Sequence, residues 1–260
     1  MSLSDLPPFA RARFAGDLVV DFGDAATELR ATAVERVVAP LTQLTVLRFS
    51  GADAENFLQG QLTCDVAALQ PGRATPGGYC TAQGRLLATF LLWREAEGYA
   101  MLLARDIAEA VQRRLQMYVL RAKVTIENAG AQWIALGLSG PQAAEALADP
   151  GFAPAASDYA FGKAEGYALL TLPRGRYIAL AVTDALEALW PGLTSSFKPV
   201  GTPCWQWLDI AHGLPWITAA TQDKFVPQMV NLELIGGVNF QKGCYPGQEV
   251  VARTQYRART

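Results

Sequence analysis

Two stretches of this chain repeat one order of apolar runs, and that order restricts the fold more than any other feature. TVLRFSG (residues 45–51) alternates like a strand and leads into ADAENFLQGQL (52–62), where Ala52, Phe57, Leu58 and Leu62 suit a short packed helix. GGYCTAQGRLLATFLLW (77–93) and GYAMLLA (98–104) are apolar runs bounded by glycines and predict neighbouring antiparallel strands. RDIAEAVQRRLQMYVLRAKV (105–124) predicts a helix with Asp106 as N-cap, Glu109 three residues on, and Ile107, Val111, Leu115 and Tyr118 along one stripe. The order returns in QWIALGLSG (132–140), a helix opened by Pro141, the strands GYALLTL (166–172) and RYIALAV (176–182), and the helix TDALEALW (183–190). Two β-α-β-β-α units predict an α+β protein, with helices laid against antiparallel sheets. The halves share pattern and no matching residues. The expected division is a first lobe over about 1–130 that begins with a loose N-terminal arm, a second over about 131–200, and a Gly-, Pro- and Trp-rich segment over about 201–260, with the lobes interleaved.

With 260 residues, 51% of them hydrophobic and 18% charged, the chain is long enough for about two compact units with a real core. No run approaches the roughly 20 apolar residues of a membrane span, and MSLSDLPPFARARF lacks both an apolar core and an Arg/Ser-rich amphipathic helix, so a cytoplasmic protein away from the membrane is expected. Twenty-two basic residues against 24 acidic ones argue against a surface that grips nucleic acid as a whole; direct nucleic-acid binding is not expected, although a local patch stays open. Cysteines at 64, 80, 204 and 244 form no C-x-x-C pair and His212 is the only histidine, which excludes a zinc or iron–sulfur framework built by this chain alone.

Polar groups concentrate in FQKGCYPGQEVVART (240–254). Tyr245-Pro246-Gly247-Gln248 carries a type II turn signal, with proline fixing φ at the second place and glycine supplying φ > 0 at the third. EVVAR is then expected to continue as a strand. Gly243 leaves room beside Cys244 for close approach of a ligand. If 242–244 is extended, Lys242 and Cys244 point to one side, and the ammonium would lower the thiol pKa from its free value of about 8.5. The alternative on spacing alone is a small buried Cys244 and a solvated Lys242.

The turn lies inside FVPQMVNLELIGGVNFQKGCYPGQEVVAR (225–253), and with FLQGQLTCDV (57–66) this segment resembles the YgfZ family of folate-binding proteins, relatives of the aminomethyltransferase of the glycine cleavage system. The resemblance spans most of residues 44–257, and Lys242, Gly243, Cys244, Tyr245, Gly247, Gln248 and Glu249 match the family signature. It implies three lobes around a central hole that accepts tetrahydrofolate or a one-carbon derivative. It also implies a role in maintaining iron–sulfur enzymes, some of which modify tRNA, with Cys244 as functional thiol beside Lys242. Trp205 matches the tryptophan that the family sets against the folate ring; Asp209, Gln248, Glu249, Tyr245, Gly243 and Asp65 complete the expected cofactor-binding set. A flat pterin ring suits one stacking aromatic with a few fixed polar groups, and PCWQWLDIAHGLPWI (203–217) supplies three tryptophans and Asp209, at least one of the three being core. His212 is expected to cap that helix before Gly213.

The chain also departs from the family. Leu44 stands where some members place a second tryptophan. Ala88 and Thr89 occupy the positions where the aminomethyltransferases carry a catalytic aspartate, so aminomethyl transfer is retained only as the alternative function. Family members continue beyond QYRART into a small β-barrel; either the sequence stops short of that barrel or this member lacks it. Gln59, Gln61 and Asp65 either cap the end of the 52–62 helix or line the cavity. Glu249 is expected to orient Lys242 or a backbone amide, and Arg253 and Arg257 to form a solvated face, with phosphate or glutamate-tail binding as the other option. A monomer is expected.

Overall fold

A computed structural model describes residues 6–148 and 152–257, and the side chains as far as 255. The first half contains β1 (Arg13–Ala15), β2 (Leu18–Asp21), α1 (Ala25–Val34), β3 (Val37–Pro40), β4 (Leu44–Ser50), α2 (Ala54–Gln59), β5 (Ala74–Cys80), β6 (Leu86–Glu95), β7 (Gly98–Ala104), α3 (Arg105–Val119) and β8 (Thr125–Asn128). The second contains β9 (Trp133–Ser139), α4 (Ala143–Ala148), β10 (Phe161–Ala164), β11 (Tyr167–Leu172), β12 (Arg176–Val182), α5 (Leu186–Ser196), β13 (Lys198–Pro199), α6 (Thr202–His212) and α7 (Gln248–Arg257). The fold is α+β, as the pattern predicts.

The chain forms two compact units, each from two segments: 1–44 with 130–212, and 45–129 with 213–260. β3 pairs antiparallel with β9 across some hundred residues of sequence and so belongs with the later segment. The N-terminal stretch is not a loose arm: β1 and β2 pair as a hairpin and Asp24 caps α1, its carboxylate accepting from the amides of Ala26 and Thr27.

The repeated order is visible in the strand order of the two sheets. The second unit's sheet runs β5-β6-β7-β4-β8, and the first unit's runs β10-β11-β12-β9-β3-β13. In each, a leading strand and a short helix precede a three-strand meander whose last strand returns beside the leader. The repeat is therefore β-α-β-β-β-α, one strand richer than the sequence pattern. GGYCTAQGRLLATFLLW holds two strands, separated by a turn in which Gly84 has φ +74° and its amide donates to Thr81 O at 2.9 Å. β10 was invisible because three of its four residues are exposed and give no apolar signal.

Each unit has its own core. Leu47, Phe49, Leu58, Leu62, Leu86, Met101 and Leu103 from sheet and α2 meet Ile107, Val111 and Leu115 of α3 in the second unit. Phe9, Leu136, Leu138, Leu147, Ala179, Trp190 and Leu193 do so in the first. Three local expectations are corrected. Ala54 is buried in α2 in place of the exposed Ala52. The N-cap position of α3 is Ala104, leaving Asp106 in the first turn to accept from Ala219 N at 2.9 Å. Tyr118, one residue too far round the helix, is 46% exposed.

Candidate functional site

The signature segment belongs to the second unit, and its turn is built as the residues require. Gly247 has φ +82°, Gln248 N donates to Tyr245 O at 3.2 Å, and a Cβ at 247 would lie 2.4 Å from Thr81 O. The chain then enters α7, not a strand. Val251 N donates to Gly247 O at 3.1 Å, and of the two β-branched residues that suggested a strand only Val251 is buried, its neighbour Val250 being exposed.

Upstream, Asn239 makes a side-chain turn: its Oδ1 accepts the amides of Gln241 at 2.7 Å and Lys242 at 3.0 Å. That turn aims Lys242 inward. Its side chain is buried, and Nζ donates to Gln59 O and Leu62 O, each at 2.5 Å, at the C-terminal end of α2, where unpaired carbonyls attract a cation. The ammonium also lies 5.3 Å from the centre of the Tyr245 ring. Burial lowers the Lys242 pKa, opposed by the nearby Cys64 and Asp65. The expected pairing with Cys244 is thus overturned: Lys242 is committed to backbone carbonyls, and the thiol it feels is Cys64, which burial pushes up to about 12.

Asp65, Gln59, Asn239 and Thr63 form a hydrogen-bonded network beside this lysine. Asp65 accepts from Gln59 Nε2 at 3.0 Å, Ala68 N at 3.3 Å and Asn239 Nδ2 at 3.3 Å, while Gln59 Oε1 accepts Val66 N at 2.7 Å. Thr63 Oγ1 donates to Gly237 O at 2.5 Å and accepts Gly78 N at 2.8 Å. Asn239 and Thr63 were missed by sequence reasoning. An asparagine two and three residues before the amides it caps is a usable signal; a threonine bridging residues far apart in sequence gives none.

The other signature residues divide sharply. Cys244 is exposed, whereas Cys64, Cys80 and Cys204 are buried. A Cβ at Gly243 would meet nothing within 4 Å. Tyr245 is buried with its hydroxyl lacking a partner among the described residues, and burial raises its pKa. Gln248 Nε2 stands 3.5 Å from Lys242 O, too long for more than a weak contact. Glu249 does not reach Lys242; it pairs with Arg253 at 2.7 Å on the exposed face of α7. The side chain of Arg257 lies outside the described residues.

Trp205 and Asp209 belong to the first unit, in a cluster of their own. The buried face of α6 carries Thr202, Cys204, Trp205, Leu208 and Asp209. Trp205 is fully buried against Gly137, where an added Cβ would fall 2.3 Å from its ring, and the Arg176 guanidinium lies 5.4 Å from the ring centre. Arg176 donates to Asp209 Oδ1 at 2.7 Å, both side chains being buried. Trp205 is therefore the core member of the three tryptophans and Asp209 a buried counter-ion, while Trp207 is exposed. His212 ends α6 as expected, Nδ1 lying 2.7 Å from Leu208 O, and burial lowers its pKa.

At the position of the missing aspartate, Thr89 is structural. Its hydroxyl donates to Pro215 O at 2.7 Å and accepts Ile217 N at 2.8 Å, fastening β6 to the following loop. Ala88 is fully buried, and Leu44 is part of the core.

Two interleaved α+β units with this strand order define a class. Residues 18–165 match the GCVT N-terminal domain. The crystal structure of glycine cleavage system aminomethyltransferase T from Bartonella henselae superposes with a TM-score of 0.85 at 18% identity, over 99% of this chain and 74% of that one. Within the class, a protein of Vibrio vulnificus (strain CMCP6) named tRNA-modifying protein YgfZ is 36% identical over 223 residues, covering 86% of this chain and 67% of the relative. One of the same name from Edwardsiella ictaluri is 36% identical over 215 residues, covering 81% and 64%. The chain belongs to the YgfZ family, and it spans about two thirds of the length of these relatives. Among the described residues no helix is long and apolar enough to cross a membrane.

Proposed function

We propose that this chain supports tRNA modification in the manner its relatives' name describes, by maintaining iron–sulfur enzymes, with Cys244 as the working thiol and tetrahydrofolate or a one-carbon derivative as ligand. The observation that carries the thiol is contrast: of four cysteines, three are buried, and the exposed one sits on a turn that needs Gly247 but does not need a cysteine at 244. A turn alone would accept serine or alanine there. Cys244 Sγ, free of neighbouring bulk at Gly243, can attack an electrophile as thiolate or transiently ligate iron in transit.

The ligand rests on the family and not on Trp205. A pterin needs an open aromatic wall, and the Trp205 face is filled by Gly137 and Arg176 while Asp209 is spent on Arg176. Aminomethyl transfer is not put forward, since Thr89 supplies no carboxylate and is committed to the backbone.

Complementation of cells lacking the endogenous protein tests the proposal. Cys244→Ser folds but fails to restore iron–sulfur enzyme activity and tRNA modification, whereas Cys64→Ala restores both. Full rescue by Cys244→Ser overturns the thiol's role. Unchanged intrinsic tryptophan fluorescence across a tetrahydrofolate titration, with no heat by calorimetry, overturns the ligand.

A further inference from the structure

α3 ends in a way that costs stability and brings no burial in return. Leu120 has φ +47° and ψ −102°, and Ala122 N donates to Val119 O at 2.7 Å across it. This is the first central position of a type II′ turn, a place that glycine fills because a Cβ there crowds the backbone. A leucine so placed is normally repaid by packing, yet Leu120 is 88% exposed, the most exposed large apolar side chain among the described residues. The turn is held from below: Lys123 N donates to Asp53 Oδ2 at 2.7 Å, Asp53 N to Lys123 O at 3.3 Å, and a Cβ at Gly51 would fall 2.1 Å from Lys123 O. Strain maintained by its surroundings in an exposed residue points to a use for the residue.

The neighbours define that use. Met117 is 65% exposed and Tyr118 46% exposed, so three large apolar side chains stand in solvent within four residues. Arg121 and Lys123 flank Leu120 and are exposed, while Arg113 pairs with Glu109 at 3.1 Å and the half-buried Arg114 bonds Tyr79. Exposed leucine, methionine and tyrosine beside an exposed arginine and lysine is the composition of a protein-interface core with a basic edge. Two aliphatic anchors favour a protein over RNA, whose bases reward aromatic stacking. A second copy docking the same patch would set basic rim against basic rim.

We propose that the end of α3 is a docking knob for a protein partner that offers a leucine-sized apolar pocket rimmed by aspartate and glutamate. This is independent of the thiol and the ligand proposed above. The test places benzoylphenylalanine at Met117 in the full chain, crosslinks in living cells of the source organism, and maps the captured peptide. The expected result is one protein adduct at an acidic surface. Leu120→Gly and Arg121→Glu each abolish it, and reversing an acidic residue of the captured peptide to arginine restores it with Arg121→Glu. With the captured protein purified, Leu120→Gly weakens Kd by about thirtyfold or more, the usual loss at an interface anchor. The same variant melts at or above the parent's temperature, because glycine relieves the turn, so lost binding cannot be blamed on unfolding. Adducts that Leu120→Gly leaves intact, adducts that ribonuclease removes, adducts to a second copy of the chain, or no adduct at all overturn the proposal.

Discussion

Each unit buries one cation near a residue that the family resemblance singled out, and the two units solve the same problem differently. In the first, Arg176 lies under Trp205 and meets the Asp209 carboxylate at 2.7 Å. In the second, Lys242 donates to the Gln59 and Leu62 carbonyls at the end of α2, with Asp65 and Cys64 nearby but not bonded to it. A buried ion pair is a mutual dependence, since removing either charge strands the other in a low dielectric. An ammonium on carbonyls leaves behind only neutral acceptors. The two clusters should therefore fail differently, although the resemblance gives both a place in the site, Asp209 in the cofactor-binding set and Lys242 beside the functional thiol.

The largest effect is expected at the ion pair. Asp209→Ala leaves the Arg176 guanidinium buried without its carboxylate and costs about 3–5 kcal/mol by urea unfolding. Arg176→Met in the same chain recovers most of that loss, because the stranded charge is gone. A loss below about 1 kcal/mol for Asp209→Ala would mean that the pair is hydrated in solution and would end the comparison.

Next comes the frame that holds Lys242 in place. Gly247→Ala forces a Cβ to 2.4 Å from Thr81 O at φ +82° and should cost about 2 kcal/mol or more. Lys242→Met is expected to cost less, about 1–2 kcal/mol, since two carbonyls lose a donor while an ammonium no longer has to be desolvated. If Lys242→Met proved as damaging as Asp209→Ala, the lysine would have to be counted as half of an ion pair with Asp65, and the contrast between the units would collapse.

Periodicity and turn grammar carried the fold further than the site. The α3 stripe of Ile107, Val111 and Leu115, the glycine-bounded strands and the Tyr245–Gln248 turn were legible because each rests on local sterics or a short repeat. α7 was misjudged because Val250 and Val251 look like a strand, while the residue that launches the helix is Gly247. The site was less legible because direction decides it. Trp205 and Trp207 are two residues apart on α6, and that step separates a fully buried ring from one 42% exposed. Lys242 and Cys244 were placed on one side of an extended run, whereas the Asn239 turn sends the lysine inward and leaves the cysteine outside.

The smallest effect is a pH dependence of stability. Burial raises Cys64 and Cys80 to about 12, from 9.0. Below pH 9 native and unfolded chains both keep these protons; between 9 and 12 only the native chain does, so each thiol's contribution to stability is lost as pH rises through that window. At pH 10 the loss is about 1 kcal/mol per thiol. Lys242 acts with the opposite sign, its native pKa being lowered from 10.5 by burial. Between the lowered value and 10.5 the native chain has released a proton that the unfolded chain still holds, so stability gains there. Urea midpoints measured from pH 8 to 10.5 should therefore fall, fall less in Cys80→Ala, and fall more steeply in Lys242→Met. An unchanged slope in Lys242→Met would place that ammonium in water and remove it from the comparison.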